Sequence, residues 1–231
     1  MNVEEIRIKL NKKAVVFKTG GFRPTHLLEE HWIGAVPYSL QQEQLPVDEN
    51  GIKMIPLLQI NLEALPYVPD SLKAVKLISV FISLNFKPVG ENLISYFCIR
   101  EYAYLNKLIF TDYKNEDSFI KPCPMSVHLV EEDRPMWDSA DIPTDISDEI
   151  LLLEEQEEVD YEEDIAVHHY ETKVGGYGSY IQGHLGFPEG FDFAFQISSD
   201  EKANLNIVSN GRLYFARNSN SGAWYVDCDF F

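Results

Sequence analysis

Apolar residues in this chain fall mostly in short blocks, and their pattern favours strands over helices. Ala14 to Lys18, Ile55 to Asn61, Leu93 to Tyr102, Lys107 to Tyr113 and Met125 to Val130 are rich in Ile, Val, Phe and Tyr and are bounded by turn residues. Each predicts a strand. Ala74 to Leu84 is apolar at successive positions, the pattern of a strand buried on both faces. Leu62 to Leu65 predicts one helical turn before Pro66, whereas Pro122 and Pro124 argue against a central strand around Cys123. Asn2 can cap a helix reaching about Lys13, with Val3, Ile6 and Leu10 on one face. Asp145 or Ser147 can cap a second helix through Ile150 to Leu153 and on to about Val159. Further on, Phe191 to Ile197, Leu213 to Ala216 and Trp224 to Cys228 predict strands. Asn210-Gly211 predicts a hairpin turn between Leu205 to Val208 and Leu213 to Ala216. The sum is a strand-rich α+β fold with a few short helices.

A near-repeat runs through this pattern. Lys18-Thr-Gly-Gly-Phe22 matches Lys173-Val-Gly-Gly-Tyr177, and each is followed by an apolar strand carrying a glutamine, Gln59 or Gln196. A further hydrophobic run follows each glutamine. The order predicts an internal duplication with units 14–130 and 165–231, two similar β-rich halves joined by a connector over 131–164. The first unit is longer between its glycines and its strand, so Arg23 to Gln44 reads as an inserted loop. Of each glycine pair, one is expected at positive φ and the other where a neighbouring backbone comes close. Amides buried in apolar strands need partners, and the simplest partner is the Gly-Gly loop backbone of the same unit. The other reading is a notch that offers the amide to a guest peptide. Its motif residues are Lys18, Gly20, Gly21, Gln59, Lys173, Gly175, Gly176, Tyr177, Gln182 and Gln196. Lys18 and Lys173 are expected to lay their stems over apolar surface. Neither copy matches a phosphate-cradling glycine loop.

Charge changes the picture more than size does. The 231 residues are 45 % hydrophobic and carry a net charge of −18. Sixteen acidic residues lie between Glu131 and Asp164, against Arg134 as the one base there. Nucleic-acid binding is therefore not expected, since no basic patch is present to displace counterions. A basic protein partner, a toxin domain or a ribosomal protein, is the electrostatically sensible one. The candidate contacts are Glu154, Glu155, Glu157, Glu158, Asp160, Glu162, Glu163 and Asp164. The plain alternative is a solvated linker. No apolar stretch is long enough to span a membrane, and Met1 to Glu5 lacks the character of a signal peptide, so a cytoplasmic location is expected. Cys98, Cys123 and Cys228 are odd in number and widely spaced, which fits free thiols.

The sequence offers little for catalysis. His168 and His169 are adjacent, so on a strand they would face opposite ways, and no H-E-x-x-H pattern occurs among the six histidines. Cys98 beside Arg100 fits a core cysteine better than an activated thiol. No G-x-S-x-G is present, and no nucleophile has a recognisable base. The expectation is a non-catalytic protein with no metal and no cofactor, an enzyme of unknown chemistry being the alternative.

Several of these segments resemble the bacterial YwqG-like family. The likeness rests on Lys173-Val-Gly-Gly-Tyr-Gly-Ser-Tyr-Ile-Gln182, Phe193-Ala-Phe-Gln-Ile-Ser-Ser-Asp200 and Gly211-Arg-Leu-Tyr-Phe215. Lys18-Thr-Gly-Gly-Phe22 and Pro56-Leu-Leu-Gln-Ile-Asn-Leu62 extend it to the N-terminal half. Two departures stand out: Gly178 takes the place of the usual proline, and Val208-Ser209-Asn210 replaces a Trp-Gly-Asp-like turn. The resemblance implies a duplicated α+β fold and kinship with the eukaryotic programmed-cell-death-2 proteins in a shared TYPP domain group. Those relatives escort a ribosomal protein, and bacterial members are thought to include immunity proteins against toxins. It therefore implies a protein-binding role, as an immunity protein or a chaperone-like escort.

Overall fold

The first helix shows how closely local sequence sets local structure. In a computed structural model that describes residues 1–111 and 113–230, α1 spans Val3–Leu10. Asn2 Oδ1 accepts from Glu5 N at 2.9 Å and Glu5 Oε2 accepts from Asn2 N at 3.0 Å. This reciprocal capping box satisfies two otherwise orphaned donors. The helix stops before Lys13 because Asn11 is extended and the apolar run that follows enters strand β1 (Lys12–Thr19). Asp112, inside the expected Lys107 to Tyr113 strand, and Phe231, the end of the expected second unit, lie outside the described residues.

Among the described residues ten strands form one antiparallel sheet. Two are at its centre: β1 pairs with the long β8 (Cys123–Asp133). Outward from β8 come β2 (His31–Ile33), β4 (Ile55–Asn61), β5 (Leu77–Ile82) and β6 (Phe97–Tyr102). Outward from β1 come β9 (Lys173–Gly175), β10 (Phe191–Ser198), β11 (Arg212–Asn218) and β12 (Trp224–Asp229). A separate two-stranded sheet pairs β3 (Tyr38–Leu40) with β7 (Leu108–Phe110). β4 and β5 are buried at every position, for β5 as its continuous apolar run predicts. The large sheet curls so that its two edges approach. Leu93 N, just before β6, donates to Val226 O of β12 at 2.8 Å, and Phe97 meets Phe215 edge to face at 5.4 Å. Glu101 of β6 holds Arg217 of β11 through two bonds of 2.7 and 2.8 Å. One core cluster therefore draws on both arms, from Leu57 and Val80 to Phe195 and Phe215.

Two expectations fail here for identifiable reasons. Pro124 does lie in a central strand, β8, opposite Trp32 of β2. It is tolerated because β8 changes neighbours there, and its carbonyl is used by Gly20 N at 2.8 Å. Residues 205–208 form no hairpin with β11, whose neighbours are β10 and β12. Val208, Ser209 and Asn210 all take positive φ, and Gly211 N turns back to Ile207 O at 2.6 Å.

The acidic segment is an ordered layer. Helix α2 (Thr144–Glu155) starts at Pro143 with no side-chain cap, so the expected caps Asp145 and Ser147 lie inside its first two turns. It ends at Glu155, and a wide helical turn, Tyr161–Ile165, is capped by Asp160. Ile146, Ile150, Val159, Tyr161 and Ile165 pack on Ile6 and Leu10 of α1 in a second core cluster. Polar ties fix the layer further: Tyr161 Oη donates to Pro135 O at 2.7 Å and Arg7 Nε to Asp164 O at 2.7 Å. No helix among the described residues is long and apolar enough to cross a membrane.

Candidate functional site

Both glutamines are clamped, and each holds the turn that follows its neighbouring strand. Gln196 of β10 sits opposite Lys173 of β9, and its Oε1 accepts from Ser179 N at 3.0 Å. Its Nε2 donates to Glu171 O at 2.9 Å. Gln59 of β4 sits opposite Trp32 of β2, its Oε1 accepts from Tyr38 N at 3.1 Å, and its Nε2 donates to Tyr38 O and Ser79 Oγ, each at 2.7 Å. Partners within the same arm are what the apolar strand context predicts. For Gln59, however, the partner is not the Gly20-Gly21 loop. Lys18, Gly20 and Gly21 lie at the far end of β1, which pairs with β8 and β9 and never meets β4. The turn that Gln59 holds is instead the one directly after β2, which begins at Gly34 and Ala35.

The glycines separate in the same way. A Cβ on Gly176 would stand 1.8 Å from Asp133 Oδ2, and one on Gly34 would stand 2.5 Å from Lys121 O. Gly20 and Gly21 take positive φ but have no described heavy atom within 4 Å of such a Cβ. A side chain at either position would therefore meet no described atom, although Gly20 N itself bonds Pro124 O.

Lys173 does not lie over apolar surface. It is fully buried, and its Nζ donates to Asp133 Oδ1 at 3.1 Å, Asp133 Oδ2 at 2.8 Å and Ser179 Oγ at 2.9 Å. Burial pulls the Lys173 ammonium below the usual lysine range, and the adjacent Asp133 carboxylate opposes that pull. Asp133 Oδ2 also accepts from Tyr177 N at 2.8 Å, so one carboxylate ties strand β8 to the Gly-Gly-Tyr turn. Sequence reasoning counted Asp133 among the solvated acids and missed it. The available signal was Lys173 itself, since a lysine between apolar strands needs a counter-charge. Gly178 in place of proline also has a local cause: a Cβ there would meet Tyr180 Cζ at 2.3 Å. The Tyr180 ring fills that space, stacked on His184 at 3.9 Å. Gln182 lies at the surface, its Nε2 donating to Phe230 O at 3.0 Å.

The catalytic candidates named from the sequence, Cys98 and the His168-His169 pair, are not brought together among the described residues. Burial pushes the Cys98 thiol up, with Arg100 only partly opposing, and the Cys228 thiol is pushed up to about 12. His168 faces Glu162 at 3.5 Å, whereas His169 Nε2 lies 2.9 Å from Glu132 O. No group of His, Cys, Asp and Glu among the described residues is placed to hold a metal ion.

Two surface features remain. The first is the acidic ridge of α2 and the turn after it. Glu154 accepts from Tyr161 N at 3.2 Å, Asp160 and Asp164 cap the turn, and Glu162 faces His168. Glu155, Glu157, Glu158 and Glu163 are exposed, and their carboxylates have no hydrogen bond or ion pair among the described residues. Leu151 and Leu152 beside them are about half exposed, at 47 % and 51 %. The second is an open groove of about 900 Å³ where β1 and β10 separate beyond the short β9. Lys18 lines that groove; Gly20 and Gly21 do not.

The family model for a domain of unknown function, DUF1963, matches residues 32–220. The chain belongs to that family. No curated protein matches it.

Proposed function

We propose that this protein is a non-catalytic protein-binding protein that docks a basic partner on the acidic ridge. The carrying observation is that Glu155, Glu157, Glu158 and Glu163 are exposed and unpaired on a layer held by its own core against α1. Unpaired carboxylates suit Arg and Lys donors, and the backbone that carries them is already held, so only their side chains remain to be ordered on binding. Leu151 and Leu152 add apolar area next to the charges. Within this reading the chain is YwqG-like and cytoplasmic, and its partner is a toxin domain that it neutralises as an immunity protein. Carboxylates placed where a nuclease expects phosphates would block it by satisfying the same cations.

The same proposal takes the two arms of the sheet as descendants of one duplicated unit. Its support is the shared geometry of Gln59 on Tyr38 N and Gln196 on Ser179 N, with β2 and β9 in corresponding places. On that register Trp32 corresponds to Lys173 and Gly34-Ala35 to Gly175-Gly176.

Affinity capture from the native cell, followed by binding measurements on the captured protein, tests the docking. The expected partner has a basic face, and its affinity falls about tenfold or more as salt rises from about 0.05 to 0.3 M. A partner without a basic face, or binding indifferent to salt, overturns the reading. A captured ribosomal protein in place of a toxin would replace the immunity role with an escort role.

A further inference from the structure

Helix α2 is apolar on two sides, and the chain covers only one of them. Ile146 and Ile150 point inward and are buried in the cluster shared with α1, with Leu153 partly buried against it. On the opposite side Asp148, Leu151, Leu152 and Glu155 are all exposed. Their spacing of i, i+3, i+4 and i+7 puts them on one stripe of the helix surface. The two leucines flank the middle of that stripe, with an acid about 5 Å along the axis at either end. Neither leucine joins a core cluster among the described residues. Gln or Lys would hold the helix about as well at those positions without leaving apolar surface in water. A single exposed leucine needs no explanation, but an adjacent pair set in an acidic surface does.

The surrounding charge decides what can cover the pair. Asp145, Asp148, Glu155, Glu157 and Glu158 are exposed, and their carboxylates have no hydrogen bond or ion pair among the described residues. The one base between Glu131 and Asp164 is Arg134, which is buried and bonded to Glu132. A second copy of α2, laid across in either direction, would bring acid against acid. An anionic membrane surface would meet the same repulsion. The complement is a helix with leucines over Leu151 and Leu152 and a Lys or Arg over each end acid. Its simplest stripe is Lys-x-x-Leu-Leu-x-x-Lys, the pattern of Asp148 to Glu155 with the charges reversed. Helices pack through ridges of this i, i+3 and i+4 kind, and amphipathic helices are recognised by apolar anchors at such spacings.

We propose that the outer face of α2 docks a basic amphipathic helix of the partner. The proposal rests on the reading of the ridge as the surface for a basic partner, and it names the element the ridge receives. The probe is a capped, Ala-rich peptide of about 18 residues, long enough to be partly helical in water, with Lys-x-x-Leu-Leu-x-x-Lys at its centre. Its control has the same composition with the leucines moved to the face opposite the lysines. Fluorescence anisotropy on the full chain is expected to show the control binding about tenfold or more weakly, and Leu151→Gln with Leu152→Gln should bring the probe down to the control's level. The melting profile should not change, since both leucines lie outside the core. Asp148→Lys with Glu155→Lys should weaken the probe and strengthen a version carrying Glu in place of its two lysines. A diffuse attraction to an acidic protein cannot produce that swap.

The proposal is overturned if neither peptide binds, if probe and control bind alike, or if the leucine variant leaves probe affinity unchanged. A dimer of the protein alone that the leucine variant dissolves would assign this face to a second copy and overturn it as well. Equal binding of the two peptides that still falls with salt and with Glu155→Gln, Glu157→Gln and Glu158→Gln would remove the docked helix and keep the acidic ridge. Probe binding indifferent to salt and to those three substitutions would remove both.

Discussion

The turns after β2 and β9 hold the same glutamine bond by opposite means. After β9 the strand residue is Lys173, fully buried, with all its donors used by Asp133 and Ser179. After β2 the residue in that place is Trp32, 4 % exposed, stacked on His26 at 5.3 Å and leaving its indole Nε1 without a partner. One turn is fixed by a buried ion pair and the other by apolar bulk. Gly176, at positive φ, leaves room for the Asp133 carboxylate, whereas Ala35 at the β2 turn is not at positive φ. Gly176 is thus tied to the buried charge, whereas Gly20 and Gly21 are not.

The largest effect that can break this contrast is loss of one charge. Lys173→Met strands Asp133 in the interior and is expected to cost about 3–5 kcal/mol in urea unfolding. The double variant Lys173→Met with Asp133→Leu should be more stable than the single one, since no charge is left buried; equal or lower stability would deny the charge account. Next in size, Gly176→Ala combines left-handed backbone with a clash against Asp133 and is expected to cost about 2–4 kcal/mol. Gly20→Ala, with the backbone term alone, should cost about 1 kcal/mol. Gln59→Leu and Gln196→Leu each leave backbone N–H groups without acceptors and should cost about 1–3 kcal/mol. Similar losses at both would mark the two clamps as equivalent.

The β2 arm should also carry a pH dependence. His31 is 4 % exposed, its Nδ1 accepts from Asn61 N at 3.3 Å, and burial lowers its pKa to about 4 from 6.5. Between those values the unfolded chain binds the extra proton and the folded chain does not, so stability falls as pH drops through that window and the loss levels off below about 4. The slope contributed by this site should vanish in His31→Gln, measured as the wild-type minus variant difference in urea midpoint across pH.

Much of the strand set was legible because it rests on local pattern. Ile55 to Asn61 appears with the expected bounds, and Asn2 caps α1 as expected. What local pattern could not carry was pairing. Lys18-Thr-Gly-Gly-Phe22 looks like Lys173-Val-Gly-Gly-Tyr177, yet the contact to Gln59 comes from Trp32 to Tyr38, where the sequence likeness is weak. Asp133 was invisible as a core residue because its neighbours Glu131 and Glu132 are solvated, and only its place at the end of β8 sends it inward. The groove also escaped notice, since it arises from the unequal lengths of β1, β9 and β10 and from the path of residues 170–172.

The contrast that matters for function is between the buried framework and the exposed ridge. Glu155→Gln, Glu157→Gln and Glu158→Gln combined remove charge without touching a described side-chain bond, so stability should change by less than about 0.5 kcal/mol. Affinity for the basic partner, measured by titration calorimetry alongside the melting curve, is the most direct test. The account predicts an unchanged melt and an affinity lowered about tenfold or more. Unchanged affinity in a folded triple variant would contradict it.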